Sequence, residues 1–370
     1  MKSRKEFLKQ ISLLSLGGHT LLFSKLAESS ILRFSNNLSV LVDYTIHLDS
    51  ATSLPRPDFT ILYTNDTHAR HEPFPNTAFR NPGMGGAIRR AQVIDQIRQE
   101  GQPVLLFDAG DQFQGSPWFH AFEGRLELEM MAAMGYDALT IGNHEFDFGV
   151  EGFVKAAEGL GLPFVCSNYN LNGTLMDPII SRYKILTLPG RVRVGVFGLG
   201  IDLAPYLSKD KYEGVRVMNP VMWARSMARV LRDSRGCDLV VCLSHLGHQY
   251  VDSRIDDLKL IEQTSGVDLV IGGHTHTFLD APVFQIDQAD VLVPITQAGY
   301  GGIRLGRMDL FRDVSSGAAK KGNGIFSNQR RDEDQEVIHD LPKMGHSEYR
   351  FVASQYEIGP EIRKIEAIKV

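Results

Sequence analysis

The chain has 370 residues, of which 43% are hydrophobic and 22% are charged, and its formal net charge is −5. These values are ordinary for a soluble globular protein, and the length allows a large core. A net acidic chain has no general electrostatic attraction for a nucleic-acid polymer or an anionic membrane. We therefore expect neither partner, and an anionic ligand would need local positive charge such as bound metal cations.

The N-terminal segment predicts export. Residues 1–27 contain five basic residues and one acidic residue, and they begin SRKEFLK before a short apolar stretch at 11–23. This pattern is similar to a twin-arginine signal, with Lys5 where the second arginine belongs. The apolar stretch is too short for a membrane span. We predict a periplasmic or envelope-associated chain with a signal at 1–27 and a spacer at 28–57; an ordinary N-terminal helix is the alternative.

From residue 59 onward, segments of strand and helix pattern alternate, which predicts an α/β fold. Strands are predicted at 59–63, 104–108, 138–141, 164–166, 192–199, 239–244 and 269–272. Helices are predicted at 87–99, 126–134, 150–160, 221–233 and 256–263. Further strands are predicted at 283–286, 291–296, 303–311 and 349–355, around a polar loop at 313–345.

Two other features of this region favour structural roles. The cysteines Cys166, Cys237 and Cys242 lie in or beside apolar runs, which favours buried free thiols over a metal cluster or a disulfide. The sequence VGVFGLG at 194–200 superficially matches a dinucleotide-binding loop, but its spacing is wrong and no helix follows. We therefore predict a strand there.

Five short polar motifs each follow a predicted strand. They are NDTH (65–68), GDQFQG (110–115), GNHEFD (142–147), SHLGH (244–248) and GGHTH (272–276). Any one of them alone is a weak signal. In open α/β sheets, however, ligands bind beyond the carboxyl ends of the strands. Five such motifs in this position therefore predict one shared site.

The side chains that these motifs offer suit a pair of divalent cations. Two cations roughly 3.5–4 Å apart can bridge an activated hydroxide and clamp the phosphoryl oxygens of a phosphate ester. The motifs supply aspartate, asparagine and histidine but no cysteine, which disfavours a structural zinc site. Oxygen and imidazole ligands suit Mn, Fe, Zn or Co, so the identity of the two predicted metals stays open.

The motif set resembles that of the calcineurin-like metallophosphoesterases. Within that family, TILYTNDTHAR, DAGDQFQGS, GNHEFDFG, SHLG and GGHTHT resemble the branch of the 5′-nucleotidases and 2′,3′-cyclic-nucleotide phosphodiesterases. The resemblance covers a catalytic domain at 58–312 and implies a four-layer α/β/β/α sandwich with the metals at strand ends between the sheets. It also implies seven metal ligands: Asp66, His68, Asp111, Asn143, His245, His274 and His276.

The resemblance also implies a role for each residue. Asp111 would bridge the ions; the remaining ligands divide into Asp66, His68 and His276 for one ion, and Asn143, His245 and His274 for the other. His144 would face the phosphate, stabilise its charge and protonate the leaving oxygen, with Asp147 orienting the imidazole. We assign none of His71, Glu145 and His248 as a ligand, and of these His248 is the best candidate for an outer role.

The function implied is a 5′-nucleotidase-type phosphomonoesterase. Many nucleotidases have Gln or Asn at the position of His276, and histidine favours a 2′,3′-cyclic-nucleotide phosphodiesterase or another two-metal esterase of the branch. A catalytically silent binding or assembly protein is disfavoured by the complete ligand set. Residues 313–370 are predicted to form the polar loop and a short strand extension instead of the second nucleotidase domain. A separate chain supplying that domain is therefore an expected partner.

Overall fold

The computed structural model describes residues 54–313 and 341–365, which belong to one contact unit, Leu41–Val370. The predicted export signal, most of the predicted spacer and most of the polar loop lie outside the described residues. Within the described ranges, strands and helices alternate as the sequence predicts, and they build two large sheets.

The first sheet has eight strands. Their bounds are β1 Phe59–Thr64, β2 Val104–Asp108, β3 Ala138–Leu139, β4 Phe164–Val165, β6 Ile180–Ser181, β14 Arg304–Arg312, β15 Tyr349–Glu357 and β16 Arg363–Ile365. They lie in the order β16-β15-β14-β1-β2-β3-β4-β6. Strands β1 to β4 run parallel to one another, and β14 pairs antiparallel with β1.

The second sheet has six strands. Their bounds are β7 Tyr183–Thr187, β8 Arg193–Leu199, β10 Leu239–Ser244, β11 Leu269–Gly272, β12 Val283–Ile286 and β13 Leu292–Thr296. They lie in the order β12-β13-β11-β10-β8-β7. Strands β8, β10, β11 and β13 are parallel, and antiparallel strands close both edges. A small ribbon pairs β5 Tyr169–Asn170 with β9 Arg216–Val217.

Six α-helices accompany the sheets in the described part of the chain. They are α1 Ala87–Gln99, α2 Pro117–Phe122, α3 Arg125–Met134, α4 Gly149–Ala157, α5 Pro220–Arg229 and α6 Asp257–Glu262. Helix α5 begins at a proline, and the Asn219 side chain accepts a hydrogen bond from Met222 N–H, which satisfies a donor of the first turn. It continues as a π-helical turn, Val230–Ser234, so the predicted helix at 221–233 is present with a change of pitch.

The layer order follows from the alternation of side chains along the strands, whose successive residues point to opposite faces. Ile61 and Phe107 of the first sheet share a buried cluster with Val196 and Val241 of the second, so this cluster lies between the sheets. Their neighbours point outward to helices. Clusters on the outer faces join Leu62 and Leu106 to α1, α3 and α4, and Phe197, Val240 and Cys242 to α5 and α6. These contacts give the predicted α/β/β/α sandwich.

The strand predictions are confirmed in the central parts of both sheets, and the misses lie at the margins. Strand β7 was not predicted, and its residues are only partly buried. The short strands β5, β6, β9 and β16 were also missed. The three cysteines are buried and unpaired, as predicted. Among residues 54–313 and 341–365, no helix combines the length and apolar character needed to cross a membrane.

Candidate metal centre

The parallel strands bring the five predicted motifs to one edge of the sandwich. β1, β2 and β3 are neighbours in the first sheet, and β10 and β11 are neighbours in the second. Five of the seven predicted ligands have left-handed backbone conformations: Asp66, His68, Asp111, His274 and His276. Non-glycine residues rarely adopt this conformation, and it is concentrated at functional sites where the surrounding structure enforces it.

Asp66, His68 and His276 form the first group, whose possible ligand atoms all lie within 4.8 Å of one another. The Nε2 atoms of the two imidazoles are 2.8 Å apart, and His276 Nε2 is 3.3 Å from Asp66 Oδ1. His68 Nδ1 lies 3.0 Å from the Phe113 carbonyl oxygen. An N–H at Nδ1 can therefore donate to that carbonyl, which leaves the Nε2 lone pair facing the centre of the group.

Asp111, His245 and His274 form the second group, again with possible ligand atoms within 4.8 Å of one another. His245 Nε2 is 3.1 Å from Asp111 Oδ2, and His245 Nδ1 is 2.7 Å from the Ala109 carbonyl oxygen. Asn143 joins this group, since its Oδ1 is 2.9 Å from His274 Nδ1. The structure thus brings together the ligand sets that the resemblance implies, and a bridging role for Asp111 stays a prediction.

The residues of the two groups fit divalent cations. His245 Nε2 is fully buried and makes no hydrogen bond to any described residue, although it faces a carboxylate. A lone pair that faces a carboxylate oxygen is unfavourable unless a proton or a cation lies between them. Gly142 keeps the space open, because a Cβ there would lie 2.2 Å from Asp111 Oδ1 and 2.5 Å from His245 Nε2.

The pKa shifts of the residues of the second group also indicate that this site favours positive charge. Burial by itself lowers the pKa of His245, but the facing Asp111 carboxylate outweighs burial and raises it to about 10. Burial alone would raise the pKa of Asp111, yet the neighbouring imidazoles hold it well below its usual range. For His274, burial and the charge of His245 lower the pKa to about 4, so its imidazole is neutral and able to ligate.

His144 belongs to neither group and faces the pocket beside the first. Its Nδ1 lies 3.0 Å from Asp147 Oδ2, and its backbone N–H donates to Asp111 Oδ1 at 2.9 Å. Burial lowers the pKa of His144, but the Asp147 hydrogen bond and nearby carboxylates raise it to about 9. One carboxylate therefore orients the imidazole, which lines the pocket beside the first group.

Glu145 is fully buried and organises the loop that carries Asp111. Its carboxylate accepts backbone N–H groups from Asp111, Gln112, Phe113 and Gly142, at 3.0, 2.7, 3.2 and 2.5 Å respectively. Burial and the Asp111 charge raise its pKa to about 7. Glu145 belongs to neither group of possible ligands, and its exclusion as a metal ligand stays a prediction. Its contacts with this loop were not predicted, because only the folded loop defines them.

The other two histidines that were considered lie apart from both groups. His71 Nε2 is 3.0 Å from Glu127 Oε1, which lies in the first turn of α3. The contacts of His248 define no role for its side chain: its backbone N–H donates to Thr275 Oγ1 at 2.9 Å, and its Nδ1 is buried without a hydrogen bond to a described residue.

A pocket of about 250 Å³ opens beside the first group. Its lining includes side chains to which the sequence assigned no role, among them Arg70, Phe74 and Tyr300. The Tyr300 ring stacks on His276, and Tyr206 contacts His274 on the side of the second group. Because Tyr206 and Tyr300 lie outside the strand-end motifs, their spacing did not indicate a role in the site. The glycines on both sides of Tyr300 were the one local sign of a turn.

A four-layer sandwich with two carboxylate–imidazole groups at its strand ends is the arrangement of the class of hydrolases that use two metal ions. The family model of the calcineurin-like phosphoesterases matches residues 59–278. The chain belongs to the calcineurin-like phosphoesterase family. The predicted family resemblance and fold class are therefore confirmed.

Individual relatives agree with this assignment. The chain is 32% identical over 332 residues to the snake venom 5′-nucleotidase of Gloydius brevicauda, covering 82% of this chain and 54% of that protein. It is 31% identical over 313 residues to the 5′-nucleotidase of Bos taurus, covering 77% of this chain and 52% of that protein. The chain thus spans about half the length of these curated relatives.

A solved structure supports the fold over the same region. The 5′-nucleotidase precursor from Thermus thermophilus superposes with a TM-score of 0.63 at 28% identity, covering 69% of this chain and 51% of that one. The family match at 59–278 lies within the predicted catalytic domain at 58–312, whose exact boundaries stay a prediction.

Proposed function

We propose that the chain is a metal-dependent hydrolase of phosphate esters, a phosphomonoesterase of the 5′-nucleotidase type. The observation that carries this proposal is the pair of groups, Asp66/His68/His276 and Asp111/His245/His274, at one edge of the sandwich. Relatives that bear the name 5′-nucleotidase support nucleotides as the substrate class.

Asn143, whose Oδ1 lies beside His274 Nδ1, completes the second group in this proposal. Bound there, two divalent cations would supply positive charge to the phosphoryl oxygens and acidify a water molecule. The protein's part is to fix the ligands before substrate arrives. Backbone hydrogen bonds do this: Asp66 accepts His274 N–H at 3.0 Å, and Asp111 accepts His144 N–H at 2.9 Å. Such preorganisation stabilises developing charge without rearrangement during the reaction.

His144 would act on the leaving group. With Nδ1 held by Asp147, its Nε2–H is free to donate to a phosphoryl oxygen or to the departing oxygen atom. The side chain is 29% exposed beside the pocket, so it can reach a bound ester. A pKa raised to about 9 keeps this donor protonated in the free protein near neutral pH.

The test is hydrolysis of AMP by purified residues 28–370 with Mn²⁺, beside an Asp111→Asn variant. We expect release of phosphate by the wild type and loss of activity in Asp111→Asn, because that variant removes a carboxylate of the second group. A wild type that binds two Mn²⁺ ions and leaves AMP intact would contradict AMP hydrolysis by this chain alone; the metal site would stand, and a separate chain or a different substrate would be required.

A second candidate function is a 2′,3′-cyclic-nucleotide phosphodiesterase. It is favoured by His276, whose Nε2 lies 2.8 Å from His68 Nε2 and so can take the ligand position at which many nucleotidases have Gln or Asn. Assaying 2′,3′-cyclic AMP beside AMP separates the two functions, since the preferred substrate is the one with the higher kcat/KM.

Export and a partner chain extend this proposal. The predicted signal at 1–27 supports a periplasmic or envelope location, and N-terminal sequencing of the protein recovered from a periplasmic extract tests it. A separate chain carrying base-recognition groups was predicted from the sequence. Saturable hydrolysis of AMP by this chain alone, with strong preference over ribose 5-phosphate, would contradict the need for such a partner.

A further inference from the structure

We propose that two tyrosines outside the metal-site motifs, Tyr206 and Tyr300, position the two histidines of the GGHTH motif. Tyr206 would act on His274 of the second group and Tyr300 on His276 of the first. The proposal rests on the metal site proposed above and extends it to residues that touch the ligands and not the cations. Both histidines have left-handed backbone conformations, with φ of 71° and 54°, so their side chains need support from other elements.

Tyr206 contacts His274 through its hydroxyl. The Oη atom lies 3.1 Å from His274 Nε2, and the tyrosine ring meets the imidazole edge-on, with centroids 4.9 Å apart. On the opposite side of the same imidazole, Nδ1 lies 2.9 Å from Asn143 Oδ1. The ring is therefore held at both nitrogen atoms, with Nδ1 directed at the ligand group and Nε2 directed away from it.

This geometry favours one tautomer of His274 when a cation is bound. A nitrogen that ligates a metal must present a lone pair, so a ligating Nδ1 requires the proton on Nε2. Tyr206 Oη is the acceptor in reach of that proton. Arg254 Nη1 donates a hydrogen bond to Tyr206 Oη at 3.4 Å, and the Arg254 guanidinium lies 4.0 Å above the Tyr250 ring. These two contacts hold the Tyr206 hydroxyl in place.

Tyr300 acts on His276 through its ring face. The two rings are nearly parallel, at 19°, with centroids 5.2 Å apart, while His68 meets His276 edge-on at 4.8 Å. The His276 side chain is 40% exposed, so the Tyr300 ring covers a face of the imidazole that the sandwich leaves open. Stacking of this kind restricts rotation of an imidazole about its side-chain bonds.

Tyr300 is itself fixed by its surroundings. Phe74 and Phe278 meet its ring edge-on, at 6.0 and 5.7 Å, and Asn81 Nδ2 donates to its hydroxyl at 3.1 Å. The following residue, Gly301, donates its backbone N–H to the Asp66 carbonyl at 2.7 Å, which ties the loop to the first group. The ring therefore occupies a defined position beside His276.

The two tyrosines contact their histidines through different parts of the side chain, so different substitutions test the two contacts. At position 206 the hydroxyl carries the effect, whereas at position 300 the ring does. Partners of ligating histidines typically change metal affinity about 10–100-fold when removed. The measurement is calorimetric titration of the metal-free full chain with Mn²⁺, in which His245→Asn and His68→Asn assign the binding steps to the second and first groups.

For the second group, Tyr206→Phe is expected to weaken Mn²⁺ binding about 10–100-fold, because His274 Nε2–H loses its acceptor. The matched control is Tyr183→Phe, which removes a hydroxyl that accepts from Arg235 Nε at 3.0 Å on strand β7. Equal Mn²⁺ affinity in Tyr206→Phe and Tyr183→Phe would overturn the role of Tyr206. Thermal melting checks that both variants are folded.

For the first group, Tyr300→Ala is expected to weaken Mn²⁺ binding about 2–10-fold, the range of a lost aromatic pair, and Tyr300→Phe is expected to restore it because the stacking ring remains. Wild-type affinity in Tyr300→Ala, or equal losses in both variants, would overturn the proposed stack. Asp111→Asn separates this proposal from the metal site beneath it: if that variant keeps both wild-type binding steps, the metal assignment itself fails.

Discussion

At the scale of single residues, the site depends on side chains whose position is fixed by hydrogen bonds to neighbouring loops. Asp66 and Asp111 each accept a backbone N–H from a different motif, so loops of different motifs are linked to one another before any ligand binds. The carboxylates also face imidazole nitrogens, which creates a strong local demand for cations in a chain of net charge −5.

Replacing His144 tests catalysis separately from metal binding. His144→Asn is expected to lower kcat about 10²–10⁴-fold, the range typical of a lost proton donor, while two Mn²⁺ ions remain bound because the side chain belongs to neither group. Steady-state kinetics and metal analysis are the measurements. Asp147→Asn, which keeps the imidazole and changes only its partner, should cause a smaller loss. Loss of bound metal in His144→Asn would contradict this assignment.

Replacing Glu145 tests the buried carboxylate that binds four backbone N–H groups. Glu145→Gln is expected to lower the free energy of unfolding by about 1–3 kcal/mol, because the amide directs an NH₂ group at backbone donors. Urea denaturation of the metal-free protein measures this. Glu123→Gln is the control, since that carboxylate is 48% exposed in an ion pair with Lys155 and should contribute about 0–1 kcal/mol. An unchanged stability in Glu145→Gln would disprove the positioning role.

At the scale of secondary-structure elements, the glycines of β8 allow close contact with neighbouring elements. A Cβ at Gly198 would lie 2.1 Å from the Val165 carbonyl oxygen, a backbone atom of the first sheet. At Gly195 the nearest atoms are the Cys237 and Leu231 side chains at 2.9 Å. The glycine-rich stretch that superficially matched a dinucleotide-binding loop is therefore a strand, as predicted, and its glycines serve packing.

These distances predict a graded effect on stability. Gly198→Ala should lower the free energy of unfolding by about 1–3 kcal/mol, since the backbone carbonyl it meets can move only if the sheets separate. Gly195→Ala should cost less, because the ends of flexible side chains can shift. Thermal and urea denaturation of the two variants measure the difference, and a larger cost for Gly195→Ala would show that the sheet contact does not limit packing.

At the scale of the whole molecule, the predicted metals should link the two sheets. The first group takes Asp66 and His68 from the first sheet and His276 from the second, and the second group likewise combines Asp111 with His245 and His274. A cation at either position would therefore hold loops of both sheets together. Metal binding should stabilise the fold in addition to enabling chemistry.

Removing divalent cations tests this link. A chelator is expected to lower the melting temperature, and Mn²⁺ should restore it. One site stabilises the folded state by about 2.7 kcal/mol when the free cation exceeds its Kd a hundredfold. Differential scanning calorimetry of the wild type and Asp111→Asn is the measurement. An equal response to the chelator in both proteins would contradict binding at these groups.

Much of this arrangement could be predicted from the sequence because its signals are local. Helix α1 was predicted with its observed bounds, as were β2, β10 and β11, since each combines a clear apolar pattern with a sharp boundary. Strand β16 was missed because its residues are mostly exposed and present no apolar alternation. The motifs that follow the strands indicated the ligand set, since parallel strands direct their carboxyl ends to one edge.

The sequence alone therefore determined the fold class and the family, and it singled out residues that the structure brings together in the two groups. Only the tertiary structure decided how Glu145 holds the loop and which tyrosines contact His274 and His276. The physical reason is the range of the interactions. Periodicity and turn motifs act over a few residues, whereas Tyr206 and His274 are 68 positions apart and meet only after the strands pair and the sheets pack.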